Sequence, residues 1–331
     1  MDTKKKSQAP VSGANRIVST RYDALLLLDA CDSGGNQDET GSPHTDSETG
    51  NGWGSGPHYR RRIRDYVACA RGDADDSSFH GPLVAGQKRF EIYVADKAVL
   101  NLQHKRAFAG IGREDVVRQG EDKQDSDDKA GRRPSRIGTG SSEEAKEWMC
   151  RNFWDVRTFG AVMSSKVNAG QVRGAVQLSD SRSVDPVVPV TYAITRVAVT
   201  DEKKAAELEG DNRTIGRKSK FFYALFTIPV FILPFYAEKS GFDEEDLALF
   251  WEALLNAWEL DRSSSRGLVT AQKLFVFKHA NKLGNATADS LFKRVKIVRK
   301  NLGIPARTFE DYDVSVNTDG MPAGVELIEM R

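Results

Sequence analysis

Seventeen consecutive positions, Phe221 to Ala237 (FFYALFTIPVFILPFYA), are almost wholly apolar, and such a run must either cross a membrane or be buried inside the protein. A spanning helix needs about 20 such residues. This run is shorter and carries Pro229 and Pro234, which a helix interior tolerates poorly. Its aromatic and β-branched content suits one or two buried strands, so no membrane partner is expected. With 331 residues, 39% of them hydrophobic, the chain can bury a sizeable core as one large domain or two small ones. Lys and Arg total 48 against 47 Asp and Glu, so any nucleic-acid surface has to come from segregated charge. Cys31, Cys69 and Cys150 are far apart and lack Cys-x-x-Cys spacing. That argues against a disulfide framework or a zinc site and fits a reducing cytoplasm. The opening Met-Asp-Thr-Lys-Lys-Lys has no apolar run behind it, so no signal peptide is expected.

Residues 1–20 are polar and expected to fray. Ala24 to Ala30 (ALLLLDA) reads as a central strand. The Gly-, Ser- and Asp-rich stretch from Cys31 to Gly56 reads as a long loop. A helix starts near Pro57, with Tyr59, Ile63, Tyr66 and Val67 as its buried stripe. Phe90, Ile92 and Val94 alternate as a strand, followed by a helix from Asp96 to Phe108. Residues 113–142 are dominated by charge, Gly and Ser and read as a solvated insertion. Ser141 and Glu144 form a capping-box pattern for a short helix. Val156 to Val176 reads as strand, Gly-containing loop and strand. Asp180 to Pro189 is a turn-rich connection, and Thr191 to Thr200 a strand. The clearest helix is capped by Asp243, with Phe242 and Leu247 as its staple. Its apolar face is Leu247, Phe250, Trp251, Leu254, Leu255 and Trp258. Leu274 to Phe277 reads as a strand and Thr287 to Leu302 as a basic helix. Asp313–Val316 and Val325–Ile328 read as a C-terminal hairpin. This order fits an α+β fold, an open sheet with helices on one face.

No nucleotide-binding or nucleophile motif occurs, and His44, His58, His80, His104 and His279 lack metal-ligand spacing. Neither cofactor nor metal is expected. Asp29 and Asp32 end the first strand, where two acids are common loop chemistry and too few for a metal site. Basic segregation is more informative. Arg60, Arg61 and Arg64 fall in one sector of the Pro57 helix while Arg62 points elsewhere. The three are either a phosphate-binding face or an ordinary solvated one. Arg196, Arg213, Arg217, Lys218 and Lys220 form a second set. Lys293, Arg294, Lys296, Arg299 and Lys300 form a third, read as a solvated face. The aromatic motif of sheet-surface RNA binders is missing, so capture of a nucleic-acid backbone is the expected mode.

The segment from Trp148 to Thr200, with DVRTFGAVM and GQVRG as its specific parts, closely resembles the Cas-seven backbone subunit of type I-C Cascade, within the repeat-associated (RAMP) superfamily. RYDALLLLD with ETGNG and YRRRIRDYV, and later AEKSGFDEEDLALFWEALLNAWELDRSSSRG and LFVFKHANKLGNA, extend the resemblance over most of residues 21–300. Two stretches depart from it: the first loop reads DSGGNQDET in place of Asn-Pro-Asn-Gly-Asp, and SKFFYALFTIPVFILPFY is more apolar than the family's equivalent. The resemblance implies a single RAMP-type domain over 1–331. It would have a ferredoxin-like (RRM-like) palm, a helical finger insertion at 70–150 and a β-hairpin thumb at 176–220. It implies a non-catalytic subunit that stacks in copies along crRNA as a helical filament, beside Cas-five, Cas-eight and small-subunit types. Target DNA would be read by pairing with the guide. The positions it assigns to RNA are Arg21, Arg60, Arg61, Arg62, Arg64, Arg157, Ser164, Ser165, Lys166, Gln171, Arg173, Arg196, Arg213, Arg217 and Lys218. A second reading within the superfamily is a metal-dependent ribonuclease using Asp32 or Asp38.

Overall fold

The computed structural model describes residues 16–71, 88–117, 139–164, 167–199, 202–207 and 214–331. Residues 1–15, most of the charged 113–142 stretch, and the expected site residues Ser165, Lys166 and Arg213 lie outside the described residues.

Strand β1 (Tyr22–Ser33) is buried along nearly its whole length. It pairs antiparallel with β8 (Thr214–Ile232) on one side and β9 (Leu268–His279) on the other. Both of its faces are covered, which is why its sequence is continuously apolar rather than alternating. Ala24, Leu26 and Leu28 enter the larger core with Tyr59, Ile63 and Val67 of helix α1 (Gly56–Ala70). Leu25 and Leu27 point the other way, into a core closed by the C-terminal segment. The long apolar run is the buried part of β8, and Pro234 starts the next helix. Pro229 sits within β8 opposite Leu25, its carbonyl accepting the Ser179 N–H at 3.0 Å.

The remaining elements in chain order are β2 (Asn51–Gly54), α2 (Leu100–Gly110), α3 (Thr139–Asn152), α4 (Trp154–Phe159), β3 (Gly160–Val162), β4 (Gln171–Arg173), β5 (Val176–Leu178), β6 (Ser181–Pro186), β7 (Val190–Arg196) and α5 (Glu202–Glu207). After β8 come α6 (Pro234–Ser240), α7 (Glu244–Asn256), α8 (Ala288–Phe292), β10 (Val295–Arg299), β11 (Tyr312–Val316) and β12 (Val325–Met330). The main sheet is antiparallel, in the order β12-β9-β1-β8-β6-β2, with β5 and β7 also on β8. Helices α1 and α7 cover one face, and β10 and β11 cover the other. The result is a mixed α/β fold built on an antiparallel sheet. A separate small core joins Phe108 of α2, Trp148 and Met149 of α3, and Met163 and Val172 of the β3–β4 ribbon.

Asp243 caps α7 in a capping box with Asp246, and Phe242 and Leu247 are both buried, as the sequence predicts. Other expectations are corrected. Phe90 to Val94 is not a strand: a single parallel bridge from Glu91 to Phe153 is followed by a bend at Tyr93 and Val94. The second helix starts at Leu100, not Asp96. Helix α3 begins at Thr139, so Ser141 is inside it rather than at its cap. Trp154 to Phe159 is a helix, and Ser181 to Pro186 a strand. The expected helix over Thr287–Leu302 is a five-residue helix followed by strand β10. The two segments read as a C-terminal hairpin separate, β11 pairing with β10 and β12 with β9.

Candidate functional site

Helix α1 carries the arginine cluster. Tyr59, Ile63 and Val67 bury its inner stripe, and the Tyr66 hydroxyl donates to Glu252 Oε1 at 2.8 Å. The expected common face of Arg60, Arg61 and Arg64 is not formed. Arg64 turns inward, is 9% exposed, and donates through Nε to Asp155 Oδ2 at 2.7 Å. Arg61 pairs with Asp65 at 2.8 Å and Asp96 at 3.4 Å. Arg62 pairs with Asp261 at 2.8 Å. Among the described residues only Arg60 of the four lacks an ion pair. Burial, and then the neighbouring Arg64, push its guanidinium below the usual arginine range.

The charges of the DVRTFG segment make contacts inside the fold. From the single turn and a half of α4, Asp155 and Arg157 reach in different directions. Asp155 accepts Arg64 and the N–H groups of Tyr93 and Val94, at 2.7 and 3.1 Å. Arg157 is 1% exposed. Its Nε and Nη2 hold both oxygens of Asp246 at 2.9 Å. Its remaining N–H groups donate to the carbonyls of Cys150, Arg151 and Arg89. All five donors are used, so Arg157 has nothing left for a phosphate. Arg21 is similarly engaged, with both Asp23 oxygens at 3.0 Å and the Leu283 carbonyl at 2.6 Å. Asp23 also faces His279 Nε2 at 3.0 Å. The Asn285 N–H donates to His279 Nδ1, so the ring proton sits on Nε2 and is donated to Asp23. Within the fold, Arg21 and Arg64 are thus ion-paired to Asp23 and Asp155, and Arg157 has all its donors engaged.

The loop acids are engaged as well. Asp32, at φ 50°, pairs with Lys220 at 2.6 Å. Asp38 accepts the Thr40 hydroxyl and the Thr40 and Ser42 N–H groups, which hold its carboxyl below the usual range. Burial pushes the Asp29 carboxyl up. No group of three His, Cys, Asp or Glu residues that could hold a metal occurs among the described residues.

Two cationic surfaces remain. The first is the hairpin formed by β7 and the start of β8. Its register pairs Val190 with Lys220, Tyr192 with Lys218 and Ile194 with Gly216. Cross-strand partners share a face, so an aliphatic and aromatic stripe runs beside Lys218 and Lys220, with Arg196 at its far end. Lys220 lies 5.9 Å from the Tyr192 ring and 5.4 Å from that of Phe222, which Arg307 also covers at 5.3 Å. Lys218 donates to Ser264 Oγ at 2.6 Å. The opposite face carries Thr191, Ala193, Ser219 and Arg217. Gln37 of the long loop donates to the Ser219 carbonyl at the hairpin root.

The second surface is a cleft of about 310 Å³ lined by Lys146, Gln171, Arg173, Tyr236 and Lys239. Arg173 stacks on Tyr236 at 4.4 Å. Gln171 and Arg173 are exposed on β4, and Ser164 is exposed at the end of the ribbon. The two surfaces lie at opposite ends of β8, about 40 Å apart at the usual strand rise. Sequence reasoning missed Tyr192, Phe222, Tyr236, Lys146, Lys239 and Arg307. The alternation of Val190, Tyr192 and Ile194 on a strand with no apolar partner was the one available signal.

A family model described as "CRISPR-associated protein Cas7" matches residues 20–317. No curated protein matches the chain. Two matching chains of solved structures are described as "CRISPR RNA-guided surveillance complex, pre-nicking" and "CRISPR RNA-guided surveillance complex". The first has a TM-score of 0.45 at 14% identity, covering 78% of this chain and 78% of that chain. The second has 0.40 at 14%, covering 78% and 69%.

Proposed function

Because the chain belongs to the CRISPR-associated protein Cas7 family, we propose that it is a non-catalytic backbone subunit that coats crRNA in a type I-C Cascade. Copies stack into a helical filament beside Cas-five, Cas-eight and small-subunit types, in the cytoplasm. The bound guide pairs with target DNA. No helix among the described residues is long and apolar enough to cross a membrane. The sheet order β9-β1-β8-β6, with α1 and α7 on one face, supports reading the main sheet as a ferredoxin-like palm. The separate core around Phe108 and Trp148 supports a finger over 70–150, and the β7–β8 hairpin a thumb over 176–220.

One observation carries the RNA reading: the hairpin face that sets Tyr192, Val190 and Ile194 beside Lys218 and Lys220. Lysines neutralise phosphates whatever the sequence, and an exposed ring offers a base a stacking surface without selecting it. With β10 and β11 covering the outer sheet face, ordinary base stacking on the palm is blocked. The cleft at Arg173 and Tyr236, with Arg60, supplies further phosphate contacts.

The test is a salt titration of single-stranded RNA binding by the wild type and by a Lys218→Gln/Lys220→Gln variant. Affinity should fall, and the salt slope should shrink by about 1.4, two contacts at about 0.7 each. A folded variant with the wild-type affinity and slope would overturn the assignment of the hairpin to RNA.

A further inference from the structure

Edge strands expose a row of unpaired N–H and C=O groups, and proteins usually blunt them with charge. This fold treats its edges unequally. At the β12 edge of the main sheet, Glu326 and Glu329 are exposed. Strand β7 carries charge only at its last residue, Arg196. Among the described residues it pairs with β8 alone. All seven of its residues are exposed. From Pro186 through Thr195 there is no charged residue. Val188 is 75% exposed, and Val190, Tyr192 and Ile194 are exposed with it.

Strand β7 is also self-complementary. In an antiparallel pair of two copies centred on Ala193, Thr191 faces Thr195 of the other copy twice over, Tyr192 faces Ile194, and Val190 faces Arg196 at the two ends. The Thr–Thr and Tyr–Ile pairs are favourable cross-strand pairs, and the Arg196 side chains stand at opposite ends of the paired strands. Other edges fit less well, β12 being acidic and β2 only four residues long. Lys218 and Lys220 lie one strand further in, so the two copies' lysines stand about three strand spacings, roughly 14 Å, apart. That exceeds the physiological screening length of about 8 Å.

We propose that the RNA-free protein forms a reversible two-fold dimer by pairing the outer edges of two β7 strands into a four-stranded ribbon. The contact is isologous and closes on itself, so it cannot propagate. The pairing of two β7 edges rests on the strand's own sequence and exposure and not on the assignment of an RNA site.

The experiment is sedimentation velocity on nuclease-treated, full-length protein over a range of concentrations, with circular dichroism as the folding check. The wild type should move from monomer to dimer as concentration rises. Thr191→Lys/Thr195→Lys sets like charges opposite each other twice and should abolish the dimer. Thr191→Lys/Thr195→Glu sets opposite charges there and should tighten it about tenfold. A wild type that stays monomeric up to its solubility limit would overturn the proposal. So would a double-lysine variant that associates like wild type, or a Lys/Glu variant no tighter than the double-lysine one.

Discussion

Replacing Arg157 with Ala separates a structural arginine from a ligand-binding one. Removing one partner of a buried ion pair costs about 3–5 kcal/mol, because the other charge stays behind. Here that charge is Asp246, which is fully buried. Lys88 Nζ at 3.1 Å from Asp246 Oδ1 compensates it in part and pulls the cost towards the lower end. The carbonyls of Cys150, Arg151 and Arg89 lose their guanidinium donors, and a large side chain vacates a packed site, which raises it again. The expected loss is about 4 kcal/mol, against a usual total of about 5–15 kcal/mol. At a urea slope of about 3 kcal/mol/M the unfolding midpoint falls by more than about 1 M. Arg157→Lys keeps the charge but loses the planar fork and should also be destabilised. The assay is urea unfolding followed by circular dichroism, with RNA affinity measured on the folded fraction. Stability should fall while that affinity holds. A variant with the wild-type midpoint and lost RNA binding would refute the reasoning.

Three further outcomes follow. Arg60→Ala should leave stability within about 0.5 kcal/mol and lower the salt slope of RNA binding by about 0.7; an unchanged slope removes Arg60 from the interface. Asp32→Ala frees Lys220 and should leave RNA intact in Mg²⁺ with affinity equal or higher; wild-type cleavage that disappears in the variant would instead establish the ribonuclease reading. Burial, then Arg266 and Arg62, depress His58 to about 3 from its ordinary 6.5. Its neutral form is favoured in the fold, so its contribution is full above about pH 6.5 and is lost as pH falls from there towards 3. His58→Gln should flatten stability against pH in that window, and an unchanged profile would show that His58 titrates normally.

Much of the fold could be read from local pattern: the apolar run of β1, the capped face of α7 and the stripe of α1 each state their own burial. Segments whose state depends on distant partners could not. Leu291, Val295, Val298 and Leu302 have helical spacing, but pairing of Val295 and Ile297 with Val316 and Val314 wins, leaving Val298 and Leu302 exposed. The same limit affected the site. A helical wheel groups Arg64 with Arg60 and Arg61, and nothing near it in sequence announces that Asp155, 91 residues away, will draw it inward. The resemblance marked DVRTFG as specific, and its charges prove to be fastenings between α4, α1 and α7.

Strand β8 carries the exposed hairpin at one end and runs on as the neighbour of β1 for the rest of its length. Tension on the hairpin along the strand is therefore borne as shear by the β1–β8 ladder, from Ser33 opposite Phe221 to Tyr22 opposite Ile232. In that geometry the ladder's hydrogen bonds lie across the pull and share the load together, instead of parting one after another as in a peeled edge. A subunit held by its hairpin is thus anchored through the backbone of its own central sheet.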